Sequence, residues 1–502
     1  MAGFRSSAPL LVTLLLITSP ILAGCLTPAA APTTTGPSDR AAPPEGAPTG
    51  GIAHLAVPAG ATPTGEALLG ADASGQGSNA SGVVGASRYT GSRSFEPTLG
   101  VDAEGRVFFG SYKPGLPYFG LLRRSDDQGK TWKDVTPNLA GVVSLPPNSN
   151  DPYVHVDPDT DRIFLSDLQA LQCSTLSFSD DAGATWTHNP VGCGHPVTAP
   201  IHDHQTVFTA RPRTVTPVGY PNVVYYCVNR QVETACATSL NGGLSFGPLR
   251  PLVIEGITNA GETGVICIGG HTAHGTSGPD GTAYLPTGQC ESFPIVAITK
   301  DDGLTWTVVR ITKDVRVYGH EVAFAVDEAG NAYAFWIGKD DHLPYLAVSK
   351  DGGYTWGKPL MVAPPGVGTA DFPTIAAGAD GRIAFAYYGT AAAKPYADMG
   401  PEDTWNTYIG ITTDALAATP TIITVTANDP ADPVARGVCG GTRCNNAVGD
   451  FIDIVIDGEG RPWAAFVDAC VAACVTGAAL NDGNAGFAGT LAAMVGKSAV
   501  PT

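Results

Sequence analysis

At 502 residues the chain is long enough for two or three average domains or for one large repeat array. Charged residues make up only 15% of it and sum to −18, an acidic excess that argues against nucleic acid and anionic lipid as partners. Gly (62) and Pro (41) are scattered without a period, which excludes a collagen-like chain and suits many short strands joined by turns.

Residues 1–24 read as a secretion signal. Arg5 is its short basic region, and the apolar core from Ala8 to Thr18 is too short to span a bilayer. The signal ends in Leu22-Ala23-Gly24-Cys25, which resembles a lipoprotein processing site. That resemblance implies cleavage before Cys25 and lipid on its thiol; an ordinary cleaved signal is the alternative. The expected location is outside the cell, anchored by lipid to the outer face of the membrane. Residues 25–90 are rich in Ala, Pro, Thr and Gly and lack sustained apolar periodicity, so they read as a disordered tether.

From residue 91 onward the chain repeats itself. Ser125-Asp126-Asp127-Gln128-Gly129-Lys130-Thr131-Trp132 has the pattern S-x-D-x-G-x-T-W. The pattern returns at 179–186 and 349–356, and at 299–306 with Thr for Ser. Ser239 to Phe246 is a weakened copy, and Thr412-Thr413-Asp414 an eroded one. In each octet the Asp is suited to accept hydrogen bonds from backbone N–H groups and nearby hydroxyls, and the Gly to supply a positive φ. The Trp is expected to pack into the seam beside the turn, contributing roughly 2–3 kcal/mol by burial. Apolar runs flank each octet, so it should join two antiparallel strands.

A second repeat alternates with the first: an apolar strand, Val-Asp, a turn with Gly, then an aromatic or β-branched strand. It occurs at 99–109, 153–165, 321–336, 373–388 and 454–467, with looser copies at 205–226 and 272–285. One unit is thus four strands, and four strands cannot cover both of their own faces. The expected fold is all-β, a β-propeller of four-stranded blades spanning residues 91–502. Seven units are counted, with six the alternative if the last is irregular. That last unit lacks an octet; its third strand is expected over 490–500, and its outer strand from the segment near Arg88 to Phe95.

The octets resemble Asp boxes, the repeats first named in sialidases, where they sit between the third and fourth strands of propeller blades. The resemblance implies the fold strongly and an activity weakly. Sialidases open their first blade with Arg-Ile-Pro, the Arg being one of three that clamp the substrate carboxylate. Here the matching stretch is Phe95-Glu96-Pro97-Thr98, which puts a carboxylate where that Arg would stand. No Tyr nucleophile aligns either.

Besides Cys25 there are ten cysteines in five close pairs: Cys173/Cys193, Cys227/Cys236, Cys267/Cys290, Cys439/Cys444 and Cys470/Cys474. Behind a secretion signal an even set reads as disulfides. All ten fall in or beside the loops of the face opposite the octets, the upper face. The residues opening the innermost strands should converge there, at the mouth of the central channel. Glu96, Asp151, His204, His271, Glu321, Asp371 and Asp450 form a candidate site for calcium or a first-row ion. The plainer reading is that they bond backbone N–H groups of the neighbouring blade. The carboxylates among them, Glu96, Asp151, Glu321, Asp371 and Asp450, are the candidates for acid–base work if the protein is a sialidase-like glycoside hydrolase. For a binder of an extracellular glycan or surface protein, the candidate contacts are Tyr112, Tyr118, Arg230, Tyr396 and Trp405.

Overall fold

The computed structural model describes residues 54–56, 86–113, 119–142, 149–169, 171–193, 202–230, 233–252, 273–290, 293–318, 321–437, 448–471, 473–477 and 485–490. Cys25, Tyr118, His271, Cys267, Cys439 and Cys444 lie outside them, as does most of the segment expected as a tether. Apart from one short 3-10 turn at Tyr396–Asp398 and a single helical residue at Val448, the regular structure is all β-sheet.

Six sheets are four-stranded and antiparallel, which is the blade number of the alternative expectation, and a six-stranded sheet stands with them in the ring. Taken by innermost strand they start at Phe95–Val101, Ser149–Val156, His202–Ala210, Thr276–Ser277, Ala323–Val326, Thr369–Ala377 and Asp453–Ile456. We number the sheets one to seven in that order. The second strand of each is almost wholly buried: Ile163–Gln169 and Ala332–Ile337 are buried at every position. Burial on both faces follows from face-to-face packing, and the core is accordingly a series of layers between sheets. Phe108 and Leu122 of sheet one meet Ile163 and Leu165 of sheet two. Leu99 and Phe109 of sheet one meet Trp463 and Ala465 of sheet seven, which closes the ring.

The closure is made by chain exchange. In sheet seven, Asp453–Ile456, Pro462–Asp468 and Ala485–Thr490 are joined by Ala86–Arg93 as outer strand. An outer strand from the front of the chain is as expected, but the third strand is Ala485–Thr490 rather than 490–500. The sixth sheet owes its extra strands to Ala435–Arg436 and to His54–Ala56, which pairs in parallel with Ile422–Thr426.

Each octet joins the third strand of a sheet to the fourth, as in Phe119–Ser125 and Lys133–Asp134. Ser179 shows the hydrogen bonding. Its hydroxyl donates to Asp181 Oδ1 at 2.8 Å and accepts from Gly183 N at 2.8 Å. Asp181 in turn accepts from Thr185 N at 2.8 Å and from Thr185 Oγ1 at 2.6 Å. Copies at 125, 299 and 349 repeat these bonds, and the weakened copy keeps the frame with Asn241 and Ser245 as substitutes, with Asn241 Nδ2 now donating to Ser245 Oγ. Even the eroded copy retains the bond from Thr412 to Asp414. Position four is also left-handed, with φ of 56° at Ala182 and 58° at Asp302, a feature the octet pattern leaves unmarked. Trp186 donates to Gly183 O and to Val135 O of the preceding sheet, so the ring lies in the seam as expected.

Candidate functional site at the channel mouth

Innermost strands of sheets one, two, three and six share an irregularity near their start. Pairing with the second strand slips between Phe95 and Thr98, Asn150 and Tyr153, Asp203 and Thr206, and Asp371 and Thr374. At each bulge one residue other than Gly takes a positive φ: Glu96 (50°), Asp151 (50°), His204 (50°) and Phe372 (54°). Phe372, not Asp371, therefore occupies the Glu96 position in sheet six. The sequence holds this register in Glu96-Pro97-Thr98-Leu99 against Phe372-Pro373-Thr374-Ile375. Asp371 uses Oδ1 to accept its neighbour's Phe372 N at 3.0 Å.

The bulged residues are clasps between sheets. Glu96 Oε2 accepts Asp151 N at 3.2 Å and Oε1 accepts Asp450 N at 3.2 Å, so one carboxyl holds the sheets on both sides. Asp151 Oδ2 accepts His204 N at 3.1 Å, and His204 Nε2 meets Glu321 Oε1 at 3.1 Å. Two residues further along, Thr98 Oγ1 accepts Val154 N at 3.0 Å, and Thr206 Oγ1 accepts Gly275 N at 3.0 Å. Asp453 Oδ2 accepts Leu99 N at 2.8 Å in the same way, which places an acid where sheets one and three have Thr. Phe451 then stands at the Glu96 position of sheet seven, and Asp450 contributes its backbone N–H.

Burial sets the electrostatics. Glu96 and Asp151 are 5% exposed each and are hydrogen-bonded to one another. Burial, then the charge of Asp151, pushes Glu96 well above the usual carboxyl range. Burial lifts Asp151 to about 6, while the hydrogen bond from Glu96 opposes the rise. At His204 burial works against protonation, but the hydrogen bond and charge of Glu321 outweigh it and push the imidazole up to about 9. Burial raises Asp453 to about 7 against the N–H groups of Leu99 and Ile454.

Below these clasps lies a channel of about 350 Å³. His204, Glu321, Phe451, Tyr153, His274 and Asp453 meet at its upper end, and the lining among the described residues includes no Arg or Lys. Phe451 stands 5.1 Å from His204 and from His274, ring centre to ring centre, and Tyr153 stands 4.3 Å from His274. Burial and the positive charge of His204 hold His274 well below the usual histidine range, so it is neutral. Of this cluster the sequence pointed to His204 and Glu321. It missed Tyr153, His274, Phe451 and Asp453, because the bulge register that aligns them is set by inter-sheet bonding.

Several expectations are corrected. Glu96, Asp151, His204 and Glu321 are linked in sequence around the ring, not gathered about one point; Asp371 and Asp450 are out of register. Among the described residues no group of three or more His, Cys, Asp or Glu is arranged to hold a metal ion. Tyr112, Tyr396 and Trp405 are buried, at 9%, 4% and 0% exposure, and not displayed as contact residues. Trp405 donates to Gly437 O at 3.0 Å and stacks on Tyr396, whose hydroxyl donates to Ala370 O at 2.8 Å. The 3-10 turn folds Tyr396 inward over the sixth sheet, which a loop-like sequence does not reveal. Arg230, half-buried at the upper end of sheet three, raises no such objection.

Disulfides join Cys173 to Cys193 and Cys470 to Cys474 at the upper face, whereas Cys227–Cys236, expected there too, is a buried cross-strand pair in the middle of sheet three. Cys290 ends the second strand of sheet four, Ala283–Cys290, with its backbone opposite Phe293. Its expected partner Cys267 lies outside the described residues. The Cys267–Cys290 pairing is therefore not among the disulfides of the described residues and stays an expectation from sequence, as does Cys439–Cys444.

No family model matches the chain, and no curated protein matches it. Solved structures similar to it include a protein of unknown function from Dyadobacter fermentans, at 14% identity and a TM-score of 0.42, covering 81% of this chain and 96% of that one. Another is the intramolecular trans-sialidase of Ruminococcus gnavus, at 12% identity and TM-score 0.41, covering 80% and 96%. The endosialidase of phage phi92 is a third, at 10% and 0.43, covering 82% and 70%. The propeller assignment rests on the strand pairing of this chain itself.

Proposed function

We propose that this protein is a surface lipoprotein whose Asp-box propeller binds an extracellular glycan or protein through the disulfide-braced upper face, without hydrolysing it. One observation carries the non-catalytic half of this reading. The mouth carboxyls of Glu96 and Asp151 are spent on backbone N–H groups of adjacent sheets and on each other. A glycosidase pair must stand roughly 5–9.5 Å apart with the sugar between its members. A buried pair hydrogen-bonded to each other leaves no such gap. Two short covalent closures, Cys173–Cys193 and Cys470–Cys474, stiffen the upper face, which lowers the entropy its loops lose on binding a partner. The purified protein should bind a defined set of glycans or proteins on arrays, and Arg230→Ala should weaken that binding about tenfold with an unchanged melting temperature. Failure to retain any array component above a propeller control would remove the recognition reading.

A further inference from the structure

The innermost strands run from the upper face toward the octets, and burial along the channel falls in that direction. Tyr153, His204, Glu321, Phe451 and Asp453 are buried at its upper end. Val156, Ser277, Val326, Ala377 and Ile456, near the strand ends, are half-buried, and Pro158 is exposed. Among the described residues the lining is thus mostly buried toward the upper end, apart from half-buried His274, and half-buried toward the octet end.

The upper end has a definite chemistry. Three rings, Tyr153, neutral His274 and Phe451, line it and pack edge to face on one another, and Asp453 lies beside them with Oδ1 3.9 Å from His274 Nδ1. His204 and Glu321 neutralise each other at 3.1 Å. The charge left over is that of Asp453. Aromatic rings beside one carboxylate attract a cation too large to hold a tight hydration shell.

We propose that the channel binds a small organic cation, an alkylammonium group, entering from the octet face and seated against Phe451, Tyr153 and Asp453. The pocket's 350 Å³ has room for an ammonium with a short polar or apolar substituent. This inference does not depend on the upper-face reading, since it concerns the channel.

The test is calorimetric titration of the purified protein with choline and with its uncharged carbon isostere, 3,3-dimethylbutan-1-ol. Choline should bind saturably, and the isostere at least about tenfold more weakly. The groups facing Asp453 are His274, Tyr153, the N–H groups of Leu99 and Ile454 and, across the cluster, the His204–Glu321 pair. Asp453 loses its charge as pH falls through about 7, so choline affinity should drop between pH 8 and pH 5.5. Asp453→Asn keeps an acceptor for Leu99 N–H and should remove choline binding while the protein stays folded. Equal binding of choline and the isostere, choline binding unaffected by Asp453→Asn in folded protein, or no saturable heat from choline would each overturn the proposal.

Discussion

Asp453 shows how one substitution in a repeated position changes what a propeller can do. At this position Thr98 and Thr206 clasp the next sheet with a neutral hydroxyl, whereas Asp453 makes the same bond with an ionisable one. Its folded-state pKa is raised to about 7 from 3.8, so its contribution is most favourable at low pH and is lost as pH rises through about 7. His204 has the same sign: raised to about 9 from 6.5, it adds stability that disappears as pH climbs through that interval. The melting temperature should therefore fall as pH is raised from about 6.5 to 9, a trend that thermal scans in matched buffers will check. Asp453→Asn removes a buried charge and should raise stability at pH 8 by roughly 1–3 kcal/mol. A melting temperature for Asp453→Asn below that of wild type at pH 8 would show that the carboxylate, which alone accepts from both Leu99 N and Ile454 N, is needed there.

The octets test the same logic at the scale of an element. Gly183 has φ +83°, and a Cβ there would lie 3.0 Å from Val135 of the preceding sheet. Gly105 has φ +75° with nothing near enough to clash. Gly105→Ala should cost about 1 kcal/mol from the backbone alone, and Gly183→Ala about 2–3 kcal/mol, since the seam must also open. Urea unfolding of the two variants separates these contributions. The octets were legible in the sequence because everything they need lies within eight residues. The bulges were not. Asp371 and Asp450 were assigned one position away from Phe372 and Phe451, since an acid near a strand start looks equivalent until inter-sheet bonds fix the register. Tyr396 and Trp405 looked available for the related reason that a turn folding back over its own sheet leaves no periodic trace.

At the scale of the whole molecule, Ala86–Arg93 pairing with Ala485–Thr490 joins the two ends of the ring, so that no sheet is left at a free seam. The anchor proposed above is lipid on Cys25. Cys25→Ser should shift the protein from the membrane fraction to the medium or leave it unprocessed, as fractionation and N-terminal mass will show. Wild-type protein free in the medium without a lipid mass would contradict the anchor. The central claim is that the mouth carboxyls hold the ring together and perform no hydrolysis. Turnover of a fluorogenic sialoside, within a panel of other glycosides, tests it most directly. The account predicts no hydrolysis above a protein-free blank. Activity that survives repurification and is abolished by Asp151→Asn or Glu321→Gln in folded protein would contradict it.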